Sequence, residues 1–170
     1  FWGDAREKIN IIPASIKFDL IYLDGFSPQK CPELWTIEFL SKVTEKLNSQ
    51  GYLITYSSSA AVRKTLRNLG LEIFKIKPSF NNKTFWSQGT VAIPKFDKNK
   101  IKPNFNFEKL SIMEEEHLLT KASIPYRDHD LNSSKDDIIN KRLNEQFSSN
   151  QVSTNEWRKK WGMTKSSVKS

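Results

Sequence analysis

Cysteine is almost absent from this 170-residue chain: Cys31 stands alone, so no internal disulfide can form. That agrees with a reducing compartment. Only two histidines occur, His117 and His129, both far downstream of Cys31, so a Cys–His nucleophile is not supported there. There are no cysteine pairs and no His-x-x-x-His spacing, and no metal site is expected. The six glycines are scattered, with Gly25 and Gly51 isolated, so no Walker loop or other Gly-rich phosphate loop exists. No apolar run approaches the ~20 residues needed to cross a bilayer as a helix. The start, Phe1-Trp2-Gly3-Asp4, lacks both Met and a basic n-region, so it is no signal peptide and reads as a chain cut inside an element. No internal repeat is found.

What is present suits a domain with a real core: 37% hydrophobic and 12% aromatic residues. The net charge is +8 and the pI about 9.5, a balance that favours polyanionic partners such as nucleic acid. Residues 1–93 carry 12 basic and 8 acidic side chains, and residues 94–170 carry 15 and 11, net +4 each. The excess is therefore not confined to a tail.

The run Phe18-Asp19-Leu20-Ile21-Tyr22-Leu23-Asp24 predicts a strand covered on both faces. Gly25, Ser27 and Pro28 then break it. Ligands of open α/β sheets bind outside the carboxyl ends of the strands, which makes Asp24 a site candidate. The plainer alternative is an Asp that caps the following turn. Phe1-Trp2 reads as the end of an earlier strand, and Ala5 to Ile12 as a short helix stopped at Pro13. A helix is expected from Leu34 or Trp35 to about Leu47, with Thr36 as a possible N-cap and Gly51 as its stop. Strands follow at 52–57, 71–76 and 90–93, with a helix over 60–69 capped by Ser58 or Ser59. The alternation predicts an α/β fold with a mostly parallel sheet, its last two strands pairing antiparallel at one edge.

Residues 94–170 read as a separate extension, partly helical with a polar basic tail. Helices are expected near 112–121 and over 135–147, the latter with Ile138, Ile139 and Leu143 on one face. The tail contains Trp157-Arg158-Lys159-Lys160-Trp161.

Two carboxylates, Asp4 and Asp24, thus fall one strand–helix unit apart on the same rim of the expected sheet. Around them, Gly3-Asp4-Ala5-Arg6, Leu23-Asp24-Gly25-Phe26-Ser27-Pro28 and Pro32-Glu33-Leu34-Trp35-Thr36 resemble the methyltransferase domain of the MnmC family. Gly51 to Ser57, Val62-Arg63-Lys64 and Leu69-Gly70-Leu71 follow the same pattern, so the resemblance covers residues 1–93. The sequence departs from the family at Cys31, where Asn is usual, and at Asn81 to Trp86, where a basic, Gly-containing turn is usual.

The resemblance implies a Rossmann-like class I methyltransferase sheet, mostly parallel with an antiparallel last strand. It also implies that the N-terminal strands, with the turn that holds the cofactor's amino-acid end, are missing from this chain. The fragment alone is then expected to bind cofactor poorly and to be inactive. The implied activity is methylation of the aminomethyl nitrogen of a tRNA wobble uridine with S-adenosyl-L-methionine, in the cytoplasm, with tRNA as partner and neither membrane nor metal.

Asp4 would accept a hydrogen bond from the adenine amino group, with Ala5 beside it; an N-cap role is the alternative, and both can hold. Asp24 would sit beside the reacting methyl group and the target amine. Gly25, Phe26, Pro28 and Lys30 would contact substrate, Phe26 by stacking on the uracil unless it packs in the core. Trp35 reads as a core anchor. Lys30, Arg63, Lys64, Arg67, Lys83 and Arg127 are candidate phosphate contacts, each with a solvated surface charge as alternative. Two other functions stay open: a small-amine methyltransferase of the same fold, and a non-catalytic RNA-binding remnant.

Overall fold

The computed structural model describes residues 1–76, 89–95 and 107–163. Lys83 and the Asn81 to Trp86 segment lie outside the described residues.

Among the described residues, five strands form one open sheet: β1 (Phe18–Tyr22), β2 (Leu47–Thr55), β3 (Leu71–Ile76), β4 (Thr90–Pro94) and β5 (Phe107–Lys109). Their order is β1-β2-β4-β3-β5. β1 and β2 are parallel, and β4 runs antiparallel to both β2 and β3. So β1, β2 and β3 share one direction, with β4 inserted against them. The expected antiparallel pairing of the last two strands is present, from Leu71↔Pro94 to Lys75↔Thr90. It is not at an edge, because β4 lies between β2 and β3, and β5 forms the outer strand. The helices α2 (Ile37–Glu45) and α3 (Ala60–Asn68) supply the crossovers between strands of like direction. Their apolar faces, with Leu40, Val43, Val62 and Leu66, meet Leu53, Ile73 and Ala92 of the sheet in one core. Each such buried leucine or valine contributes roughly 1.5–3 kcal/mol.

β1 corrects an expectation. It was expected to be covered on both faces, yet Phe18, Leu20 and Tyr22 are exposed. Among the described residues β1 pairs with β2 alone. Phe1 and Trp2 form no strand and are exposed too. Gly51 is likewise not a helix stop. α2 ends at Glu45, and Gly51 lies within β2, where an added Cβ would sit 2.8 Å from the Phe18 carbonyl oxygen. The pairing jumps there from Phe18↔Leu47 to Leu20↔Tyr52, a bulge that needs a residue without a side chain.

The caps follow the sequence more closely. Thr36 caps α2, its hydroxyl accepting from the Phe39 N–H at 3.3 Å. Ser59 takes the N-cap position of α3, but its side chain makes no capping bond. In the C-terminal region, Ser111 with Glu114 forms a capping box on α4 (Ile112–His117), and Ser134 caps α5 (Lys135–Ser148). Ile138 is buried, whereas Leu143 is exposed and does not share its face.

The polar tail contains a helix. Ser153 and Glu156 form a second capping box and start α6 (Thr154–Lys160). Trp157 is buried, stacks on His117 at 4.2 Å and donates from its indole nitrogen to the Met113 carbonyl at 3.1 Å. It therefore offers no exposed platform to a nucleic acid.

The region after β4 is fastened to the sheet and helices by polar contacts. The buried Arg63 guanidinium pairs with Glu114 at 2.9 Å and donates to the Thr90 hydroxyl and the Gly89 carbonyl. Arg67 holds Glu115 through two bonds, at 2.6 and 2.8 Å. The Ile37 N–H donates to the Tyr126 carbonyl, and the Asp128 N–H to Glu38 at 2.8 Å. Arg142 lies over the Tyr126 ring at 4.4 Å.

Candidate functional site

Beyond the carboxyl end of β1 the chain makes a turn that opens a cleft of about 750 Å³. Asp24, Gly25, Phe26, Ser27, Lys30, Leu34 and Tyr56 line it. Four residues singled out in the sequence, Asp24, Gly25, Phe26 and Lys30, are thus brought together. Asp24 and Lys30 are exposed, and Phe26 is 75% exposed. Among the described residues the Phe26 ring does not pack in the core. Pro28 is buried and is not part of the lining, and Ala5 and Asp4 lie outside it as well.

The turn is held by its backbone. The Leu23 N–H donates to the Ile54 carbonyl of β2 at 2.9 Å. The Gly25 carbonyl accepts from the Tyr56 hydroxyl at 2.9 Å, and the Phe26 carbonyl from the Trp35 indole nitrogen at 2.8 Å. The Ser27 carbonyl accepts from the N–H groups of Lys30 and Cys31. An added Cβ at Gly25 would lie 2.8 Å from Leu34 Cδ1, so the Leu34 side chain would have to shift. Trp35 is 1% exposed, as expected of a core anchor, and its ring meets Tyr56 edge-on at 6.4 Å. Ser27, Leu34 and Tyr56 are lining residues that the sequence reading missed, and Tyr56 is the one that bonds the turn. Its signal was available: it follows β2 directly, on the same rim as Asp24. Burial first, then the Asp24 charge, pushes its phenol upward, so it stays a hydrogen-bond donor.

Asp4 is the N-cap of α1 (Ala5–Lys8), its side chain accepting from the Arg6 N–H at 2.8 Å. The Arg6 guanidinium also bonds both Asp4 oxygens, holding the carboxyl below its usual range. The Asp4 side chain nevertheless stays 38% exposed. Arg6 reaches on to Asp128 at 2.9 Å and to the Ser133 carbonyl at 3.0 Å.

Of the candidate phosphate contacts, Arg63 is buried against Glu114, while Arg67 and Arg127 are paired with Glu115 and Glu145. Lys30 faces the cleft and Lys64 is half-buried on α3. Cys31 is half-buried, and burial followed by the neighbouring Glu33 charge pushes its thiol upward, against a nucleophilic role. Among the described residues no cluster of His, Cys, Asp and Glu could hold a metal ion. No helix among them is long and apolar enough to cross a membrane.

Comparison with known proteins gives the chain's family. A family described as S-adenosyl-L-methionine-dependent methyltransferase matches residues 1–92. An uncharacterized protein of Methanocaldococcus jannaschii is 33% identical over 141 residues, covering 82% of this chain and 36% of the relative. The tRNA 5-methylaminomethyl-2-thiouridine biosynthesis bifunctional protein MnmC of Campylobacter hominis is 39% identical over 82 residues, 48% of this chain and 12% of that protein. The crystal structure of MNMC2 from Aquifex aeolicus superposes with a TM-score of 0.69 at 32% identity, covering 88% of this chain and 45% of that one. The chain therefore spans less than half the length of each of these relatives.

Proposed function

The chain belongs to the S-adenosyl-L-methionine-dependent methyltransferase family, and on that premise we propose that it is the C-terminal portion of an enzyme that methylates the aminomethyl nitrogen of a tRNA wobble uridine. The observation that carries this reading is the cleft itself. It joins a carboxylate, Asp24, to an exposed aromatic ring, Phe26, and a cation, Lys30, at the carboxyl end of β1. Those three groups match an alkylammonium, a nucleobase and a phosphate.

S-adenosyl-L-methionine supplies, when bound, a methyl group activated on a sulfonium. The residues present fit part of it. Asp4, ionised and partly exposed, is the acceptor for an adenine amino group, with Ala5 beside it.

Asp24 is the catalytic residue of this reading. An alkylammonium is mostly protonated at neutral pH and has no free lone pair. A carboxylate beside it orients the amine and helps its proton leave as the nitrogen attacks the methyl group, and such positioned acid–base help is worth roughly 10²–10⁴-fold. Phe26 stacks on the uracil once the base leaves its neighbours. Gly25 shapes the substrate wall, and Lys30 meets the backbone phosphate. A cytoplasmic location goes with a tRNA substrate.

The test is methyl incorporation from labelled S-adenosyl-L-methionine by the full-length protein, offered tRNA bearing 5-aminomethyluridine or a free alkylamine. Incorporation at the wobble position supports the reading. Incorporation into the alkylamine alone moves the assignment to a small-amine methyltransferase. tRNA binding without cofactor binding points to an RNA-binding remnant.

A further inference from the structure

Asp24 sits between two anchors, and one strand end supplies both. On its N-terminal side the Leu23 N–H is bonded to the Ile54 carbonyl of β2. On its C-terminal side the Gly25 carbonyl is bonded to the Tyr56 hydroxyl at 2.9 Å, from the residue just past β2. The next carbonyl, of Phe26, is bonded to the Trp35 indole at 2.8 Å, and the Tyr56 and Trp35 rings stand perpendicular in contact. Two successive carbonyls of an exposed turn are thus each held by an aromatic donor, and the donors brace each other. Ordinary turns close with their own backbone bonds. Here the carbonyls flanking the cleft are instead fastened to the sheet and to the buried segment after it.

We infer that Tyr56 and Trp35 are positioning residues: together they fix the Asp24-Gly25-Phe26 turn, and so set where the Asp24 carboxylate and the Phe26 ring stand in the cleft. Tyr56 acts through its hydroxyl and not by touching the reacting atoms. The reason for such a device is geometric. Both functional groups ride on a short turn whose middle residue is a glycine. A displacement of about 1 Å in such a group can lower a rate by about 100-fold.

Tyr56→Phe tests this in the full-length protein, because it keeps the ring and its contact with Trp35 and removes only the donor. The first readout needs no substrate: hydrogen exchange of the Trp35 indole N–H, followed by NMR. The indole N–H of Trp157, bonded to the Met113 carbonyl far along the chain, is the internal reference. A lost hydrogen bond of this kind weakens the held state by about fivefold to tenfold. The Trp35 indole should therefore exchange about fivefold to tenfold faster while that of Trp157 is unchanged. The second readout rests on the proposed methyl transfer: kcat falls by about tenfold or more, with the dissociation constant for S-adenosyl-L-methionine unchanged.

Unchanged Trp35 exchange overturns the inference, and so does faster exchange with full kcat retained. Equal acceleration at Trp35 and Trp157 overturns it too, since the hydroxyl would then serve global stability alone. Should the wild-type protein methylate no tRNA, the proposed function fails, while the exchange measurement still decides whether Tyr56 holds the turn.

Discussion

Arg6 and Asp128 stand 122 residues apart in the chain and meet at 2.9 Å, with the Asp128 side chain fully buried. The same guanidinium grips Asp4, so one arginine links the N-cap of α1 to the segment that follows Tyr126. Asp128 also accepts from the N–H groups of Asn132 and Ser133 through its other oxygen. Burial alone would raise its carboxyl, but those amides and Arg6 outweigh burial and hold it below its usual range.

Asp128→Ala should accordingly cost about 3 kcal/mol, because it strips a guanidinium and two backbone donors of a shared acceptor. A urea titration reads this as a lower midpoint with an unchanged slope. An unchanged midpoint would mean that the contact contributes nothing to stability.

Acid should weaken the fold in two separate windows. His117 is depressed to about 4, first by burial and then by the charges of Arg63 and Arg158. Its folded pKa lies below the unfolded value, so its contribution is present above about pH 6.5 and is lost as pH falls through 4. Thermal melts between pH 7 and 4 should show a fall that His117→Gln flattens.

The second window belongs to Glu114. Burial raises its carboxyl, but the Ser111 amide and hydroxyl and the Arg63 guanidinium prevail and depress it to about 2. Its contribution is present above the ordinary value of 4.5 and lost as pH falls through about 2. That shift corresponds to roughly 3 kcal/mol. Glu114→Gln should be less stable at neutral pH and lose less on acidification below pH 4.5, as denaturant titrations at each pH will show.

Phe26→Ala should weaken tRNA binding by about tenfold or more, since stacking of a base on an aromatic ring is worth roughly 1–3 kcal/mol. Fold stability should be unchanged, because the ring is exposed. Filter binding of tRNA and a thermal melt check both.

Much of this was legible in the sequence because local signals and global fold agree. Thr36 caps α2 as read, and α4 and α5 start where helices were expected. The turn after Leu23 carries Asp24, Phe26 and Lys30 into one cleft. What escaped the sequence depends on neighbours that it does not name. The apolar run of β1 looks buried, but its exposure is decided by which strands flank it. Gly51 looks like a helix stop, but its use is set by the Phe18 carbonyl across the bulge. Arg63, Arg67 and Arg127 look like free cations, and only the packing of Glu114, Glu115 and Glu145 reveals them as paired. Trp157 looks like part of a basic tail, although the Ser153–Glu156 spacing that starts its helix was there to be read.

The most direct measurement is the single-turnover rate of methyl transfer to tRNA bearing 5-aminomethyluridine by full-length wild-type protein and Asp24→Asn, with tRNA and cofactor binding measured alongside. The account predicts methyl at the wobble nitrogen and a rate about 100-fold lower or more in the variant, a larger change than in either binding constant. A variant as fast as wild type, or a folded, cofactor-binding wild type that leaves this tRNA unmethylated, would contradict it.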